Sequence, residues 1–268
     1  MKVVAISGQK GGGGRTTVAL NLAYELCQQG LRVLLIDGDA NGGIGLSVDP
    51  SLATGPGLVR FVLDGLNWRE CAVDTNTEGL TLVPRGLLPP EERARFVSGL
   101  EHGRLSALLE ASADCHDIAL IDTAAGGARA TLAALKVADY SLGIVPADPM
   151  GLRGVADLLR MIGWLRREGA RIRLMGIVPT MVDLREATSS TAIRALWGEY
   201  PEGSVFDTFL PRDAAFLVAS EAGVPLGLLS RRPKLAANAV EQLAHEFRRR
   251  LTQLGEEPTD DAPKPLVG

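Results

Sequence analysis

GQKGGGGRTT, residues 8–17, is the stretch from which the rest of the chain is read. It follows a short apolar run, Lys2–Ser7, that reads as a buried strand, and it opens a helical pattern from Thr16 to Gln29. Four consecutive glycines, Gly11–Gly14, lie between the two. Glycine lets backbone N–H groups turn inward and lets the oxygens of an anion approach the main chain. The start of the helix adds its partial positive charge. A strand, a glycine loop and a helix N-terminus in that order make a phosphate cradle, and Thr16 stands where a hydroxyl would meet Mg2+.

Outward from this loop, strands and helices alternate. Gly30 ends the first helix as a C-cap glycine would, and Leu31–Asp37 (LRVLLID) has the continuous apolar run of a strand covered on both faces. Further strands are predicted over Leu80–Val83, Ile118–Asp122, Tyr140–Val145 and Ile172–Val178, with a weak one over Ser204–Phe206. Helices are predicted over Leu58–Leu63, Pro90–Ser112, Ala128–Val137, Gly151–Glu168, Glu186–Trp197 and Leu235–Leu254. Such alternation with right-handed crossovers gives an α/β fold with a doubly wound, mostly parallel sheet flanked by helices. Ligands in these sheets bind beyond the C-terminal strand ends, where Lys10, Arg15, Asp37, Asp39 and Asp122 all fall.

The 268 residues are 46% hydrophobic, enough for one sizeable core. The expected organisation is a single domain over residues 1–254 and an acidic, proline-containing disordered tail over 255–268. No segment approaches the ~20 apolar residues of a membrane span. The first apolar run is too short for a secretory signal, so a cytoplasmic location is expected. Cys27, Cys71 and Cys115 are far apart and form no CxxC pair, which argues against zinc or iron–sulfur chemistry. A net charge of −4 excludes a generally basic nucleic-acid binder. It leaves room for a local basic patch around Arg231, Arg232 and Lys234; Arg248–Arg250 are expected to serve solvent and the helix dipole.

The generic phosphate-loop pattern GxxxxGK[ST] fails at Gln9 and Arg15. A dinucleotide GxGxxG started at Gly11 or Gly12 fails at its third glycine, which would be Thr16 or Thr17, although Asp37 could mimic a ribose-binding acid. The pattern KGGxGK[ST] fits from Lys10 to Thr16 apart from Arg15. Asp122 closes the apolar run IALI, so a rigid strand presents one carboxylate to a metal, and Gly126 and Gly127 follow it.

On these residues the chain resembles the ParA/MinD family, P-loop NTPases of the deviant Walker A type, over about residues 1–250. Gln9 before Lys10 is closer to the chromosome-partitioning branch. The segments IVPADPMGLRGVADLL, VPTMVDLRE and DTFLPRDAAFLVASEAGVPL resemble later parts of the family pattern. The resemblance implies ATP and Mg2+ as cofactors, held by Gly11, Gly12, Gly13, Gly14, Arg15, Thr16 and Thr17. It implies Asp37, Asp122 and Thr16 around the metal, and Asp39 positioning the attacking water, with Asn41 where the family segment DxDxQ has Gln. Lys10 is the signature lysine, which reaches across an ATP-dependent homodimer to the partner's phosphates. Thr180, Pro211 and Asp213 fall where relatives surround the adenine.

The same resemblance implies non-specific DNA binding through arginines on a dimer face. Arg231, Arg232 and Lys234 occupy that place here, with Arg185 and Arg212 near it. It also implies a partner or cargo adaptor that stimulates hydrolysis, and association with the nucleoid. The tail EEPTDDAPKPLVG is a poor match to the basic amphipathic helix that ends MinD-like chains. Arg15 leaves two outcomes open. Arginine keeps the charge of the usual lysine, but its planar fork is larger. It is compatible with slow ATP hydrolysis, or with a nucleotide-binding scaffold or spatial regulator that turns over little and binds no DNA.

Overall fold

The computed structural model describes residues 1–229 and 234–256, the side chain of Lys234 excepted. In chain order the elements are β1 (Lys2–Ser7), α1 (Arg15–Gln28), β2 (Val33–Asp37), α2 (Ile44–Val48), α3 (Leu58–Asp64), α4 (Trp68–Cys71), β3 (Val73–Asp74) and β4 (Leu80–Val83). Then come α5 (Arg93–Gly99), α6 (Leu105–Ser112), β5 (Ile118–Asp122), α7 (Arg129–Val137), β6 (Tyr140–Pro146) and α8 (Pro149–Arg167). The chain closes with β7 (Arg173–Thr180), α9 (Ala187–Glu199), α10 (Ala215–Glu221) and α11 (Lys234–Glu256).

The strands form one sheet in the order β3-β4-β2-β5-β1-β6-β7. Every pairing is parallel except β3 with β4. The central strands bury alternate side chains on opposite faces. Val4 and Ile6 of β1, Val33 and Leu35 of β2, and Leu120 of β5 pack with α1 and α11. Val3, Ala5, Leu34, Ile36 and Ile121 pack on the other side with α3 and α5 through α7. Both faces are dry, which is why these strands read as unbroken apolar runs.

β1 lies between β5 and β6: the chain leaves it for β2 on one side, and the connection from β5 to β6 passes over it to the other side. The crevice beyond its C-terminal end is where such a sheet takes ligands, and residues 8–14 line it.

Three sequence expectations change. The single helix over 90–112 is two helices, because His102 (φ −94°, ψ 28°) and Gly103 (φ 88°) leave the helical region between them. The weak strand at 204–206 is one isolated bridge, Ile177 to Val205. The last helix runs to Glu256, so the expected domain end at 254 lies inside it; residues 257–268 are outside the described residues. Among the described residues no helix is long and apolar enough to cross a membrane.

Candidate nucleotide and magnesium site

β1 ends at Ser7 and α1 begins at Arg15, so the glycine loop spans only seven residues. Gly12 (φ 68°) and Gly14 (φ 92°) take the left-handed conformation that turns the loop back on itself. Gly14 precedes α1 without any side-chain cap, which leaves the first-turn N–H groups of the helix for an anion.

The acids arrive on neighbouring strands. Asp37 ends β2 and Asp122 ends β5, directly opposite each other in parallel register. Both are 1% exposed. The Thr16 hydroxyl donates to Asp122 Oδ2 at 2.6 Å. Asp37 Oδ2 accepts from the N–H groups of Gly43 and Ile44 at 3.0 and 3.1 Å. The remaining oxygens, Asp37 Oδ1 and Asp122 Oδ1, are buried without a hydrogen-bond partner.

Burial, and then the Asp37 charge beside it, pushes the Asp122 carboxyl up to about 7 against the pull of Thr16 and Arg15. Asp37 is raised chiefly by burial, opposed by its two N–H donors. Two desolvated carboxylates side by side, each with an orphaned oxygen, call for a cation. The oxygen-only donor set fits Mg2+, with Asp37, Asp122 and the Thr16 hydroxyl as the groups to hold it. Among the described residues no three His, Cys, Asp or Glu side chains gather into a metal cluster. A site with so few protein ligands suits an ion that keeps waters and takes phosphate oxygens.

Gly43 is part of this site and carries no motif signal of its own. A Cβ there would stand 2.8 Å from the Thr16 hydroxyl oxygen and 3.6 Å from Asp122 Oδ2. Asp39 lies in the same loop, half-buried. Its Oδ1 accepts the Asn41 N–H at 2.8 Å and its carbonyl accepts the Gly42 N–H, so a tight turn orients the carboxylate. Arg93 holds the outside of that turn by donating to Asn41 Oδ1 at 2.9 Å.

Arg15 folds its guanidinium against the main chain of the loop. Its Nε donates to the Thr123 carbonyl at 2.9 Å, and its Nη1 to the carbonyls of Lys10 at 2.7 Å and Gly8 at 3.5 Å. The guanidinium thus ties the loop to the end of β5. Burial lowers its pKa, while Asp122 and Asp39 act in the opposite sense. Lys10 turns its ammonium to Asp148, with Nζ 2.5 Å from Oδ2. Asp148 lies outside the helix predicted over Gly151–Glu168, and α8 instead starts at Pro149 with Asp148 as its cap. The Asp148-Pro149 pair was the signal: a capping acid followed by proline at the first helical position.

A cavity of about 550 Å3 opens beside the loop. Gly14, Thr17, Thr180, Pro211, Arg212 and Asp213 are among its lining residues. Thr180 also donates its hydroxyl to the Gly13 carbonyl at 2.8 Å, which staples the end of β7 to the loop. Met181 follows at φ 54°, a strained conformation for a side-chain-bearing residue and of a kind that concentrates at sites. Asp213 Oδ1 accepts the Ala215 N–H at the start of α10.

The basic residues are less well assembled. Arg185 is exposed and paired with Asp183 at 2.7 Å. Arg212 is exposed nearby, and its backbone N–H donates to the Val182 carbonyl. Arg231, Arg232 and the Lys234 side chain lie outside the described residues.

Known proteins share this chain's sequence pattern and its fold. A family model described as an AAA domain matches residues 1–174. The chromosome-partitioning ATPase Soj of Thermus thermophilus is 31% identical over 261 residues, covering 93% of this chain and 96% of that protein. Two Escherichia coli proteins named IncC are each 28% identical; the matches cover 75% and 84% of this chain but 56% and 63% of theirs. A Mycobacterium smegmatis structure titled cobyrinic acid a,c-diamide synthase, with bound ATP analogue and magnesium, superposes with a TM-score of 0.77. It is 25% identical and the match covers 98% of this chain and all of that one. An ATP complex of Cyanothece McdA has the same fold at 22% identity, with a TM-score of 0.75 over 96% of this chain and 98% of that one. A cradle of glycines beside two buried acids, on a sheet shared with these proteins, makes the chain a member of the ParA/MinD family of P-loop ATPases.

Proposed function

We propose that the chain is an ATP- and Mg2+-binding switch that dimerises on ATP and hydrolyses it slowly, and that the ATP-bound dimer holds DNA non-specifically to partition it or to position a cargo. The observation that carries this reading is the buried trio of Thr16, Asp37 and Asp122, with an orphaned oxygen on each acid, at the foot of the glycine loop. In this reading the loop N–H groups and the α1 terminus bind the phosphates. The base occupies the cavity between Thr17, Thr180, Pro211 and Asp213. Bound Mg2+ would neutralise phosphate charge. Asp39, oriented by its turn, holds the attacking water in line. Lys10 serves the partner's phosphates.

Arg185 and Arg212, with Arg231, Arg232 and Lys234, are the proposed DNA contacts. Binding of this kind is salt-sensitive and carries little sequence information. A stimulating partner or adaptor would time release, in the cytoplasm against the nucleoid. ATP turnover and DNA retention on filters, with Asp39→Ala beside the parent chain, test the proposal. Turnover no higher than Asp39→Ala under every condition would sink the hydrolase part, and the absence of ATP-dependent DNA retention would sink the DNA part.

A second reading is favoured by one observation, the commitment of Arg15 to three backbone carbonyls. A guanidinium spent on the loop gives less to the γ-phosphate, which suits a scaffold with little turnover. Under that reading the ATP-bound dimer persists, and Arg15→Lys raises turnover by an order of magnitude or more, about what one strong charge-stabilising contact contributes.

A further inference from the structure

Lys10 is held at both ends. Its carbonyl accepts from Arg15 Nη1 at 2.7 Å, and its ammonium meets Asp148 at 2.5 Å. Asp148 divides its carboxylate between two tasks. Oδ1 caps α8, accepting from the N–H groups of Met150 at 2.9 Å and Gly151 at 2.8 Å, and Oδ2 takes Lys10. Burial alone would raise the Asp148 pKa; the Lys10 and backbone hydrogen bonds outweigh it and hold the carboxylate below its usual value.

We propose that Asp148 is a positioning residue that parks Lys10 inside its own subunit, so that the lysine becomes available to a second subunit only when the pair opens. An ammonium has three donors on a flexible stem and moves readily between a carboxylate and a phosphate. The cap bonds to Oδ1 fix the carboxylate, so Lys10 is the half of the pair that moves. The start of α8 stays capped when it leaves. The parked geometry stands on the contacts above; its consequence for assembly rests on the dimeric-switch reading.

Asn and Ser both cap helices, so Asp148→Asn and Asp148→Ser remove the charge while keeping an oxygen for the α8 N–H groups. The first arm uses the nucleotide-free, full-length chain. A pulse of an amine-acylating reagent is followed by peptide mass measurement of Lys10, with exposed Lys2 as reference. A carboxylate-bound ammonium is shielded, so Lys10 acylates faster in both variants by about twofold to fivefold, the scale of a partly exposed ion pair, and Lys2 is unchanged.

The second arm measures dimerisation by sedimentation against ATP concentration, in the Asp39→Ala background to suppress turnover. Two pairs open per dimer, so the dimerisation constant rises by roughly four- to twenty-five-fold. Equal Lys10 acylation in parent and variants overturns the proposal, and so does a dimer that needs the same or more ATP when Asp148 is replaced. If the parent chain forms no ATP-dependent dimer, the functional reading falls, and the acylation arm still decides whether Asp148 holds Lys10.

Discussion

Arg15 and Asp122 show how much individual side chains do at this site. Arg15 bridges the loop and the end of β5 through three carbonyls, which it reaches from two separate nitrogens of a planar fork, where a lysine has a single nitrogen. Replacing it with Ala is expected to destabilise the nucleotide-free chain by about 1–3 kcal/mol, the range for hydrogen bonds from a charged donor, as measured by urea unfolding. Asp122 acts in the other direction. Its folded pKa of about 7 lies above its ordinary 3.8, so the folded state holds the proton more tightly than the unfolded chain does. The penalty is absent below the lower value, grows through the interval and is complete above the upper one. Asp122→Asn keeps an acceptor for Thr16. It is therefore expected to melt several degrees higher than the parent at pH 8 without Mg2+, with the gap closing toward pH 5. A gap that widens toward low pH would refute this sign.

At the scale of elements, the break between α5 and α6 separates pattern from conformation. The segment 90–112 carries enough apolar residues for one helix, and Gly99 and Gly103 are tolerable in one. Gly103 instead adopts φ 88°, which lets α6 change direction and pack Leu105, Leu108 and Leu109 into the core. Gly103→Ala is expected to cost about 1 kcal/mol in thermal or urea unfolding, because alanine pays for the left-handed conformation. A stabilising effect would mean that the segment prefers the straight helix. α8 and α10 make a complementary point. The Asp148 cap was written in the sequence as Asp-Pro, whereas α10, seven residues long, had too little periodicity to be seen.

At the scale of the whole molecule, α11 is fastened to the β7 edge of the sheet and to residues 203–208 by a buried ionic network. Arg250, expected to face solvent, is 8% exposed. It donates to the carbonyls of Val205, Gly203 and Met175, pairs with Glu246 at 2.8 Å, and lies 4.0 Å over the Phe206 ring. Glu246 in turn accepts the N–H groups of Asp207 and Thr208. Arg250→Ala would strand the Glu246 carboxylate in the interior, and a loss of about 3–5 kcal/mol is expected by denaturant titration. A change under 1 kcal/mol would show that water reaches Glu246 and screens it.

The division between sequence and tertiary structure follows from range. Strand–loop–helix order, the central strands and the positions of Asp37 and Asp122 were legible because apolar runs and a glycine cluster are local signals. Thr16 and the family resemblance were legible for the same reason. The parallel register that sets Asp37 against Asp122, and the folding of Arg15 onto Thr123, are contacts across 85 and 108 residues. The pairing of Lys10 with Asp148 spans 138. No periodicity encodes such contacts, because they depend on where the sheet brings separate strand ends together. The sequence by itself determined that this chain carries a phosphate cradle with acids on adjoining strands. Only the tertiary structure decided that the acids are buried with orphaned oxygens, that Arg15 is engaged with the loop, and that Lys10 rests on its own subunit.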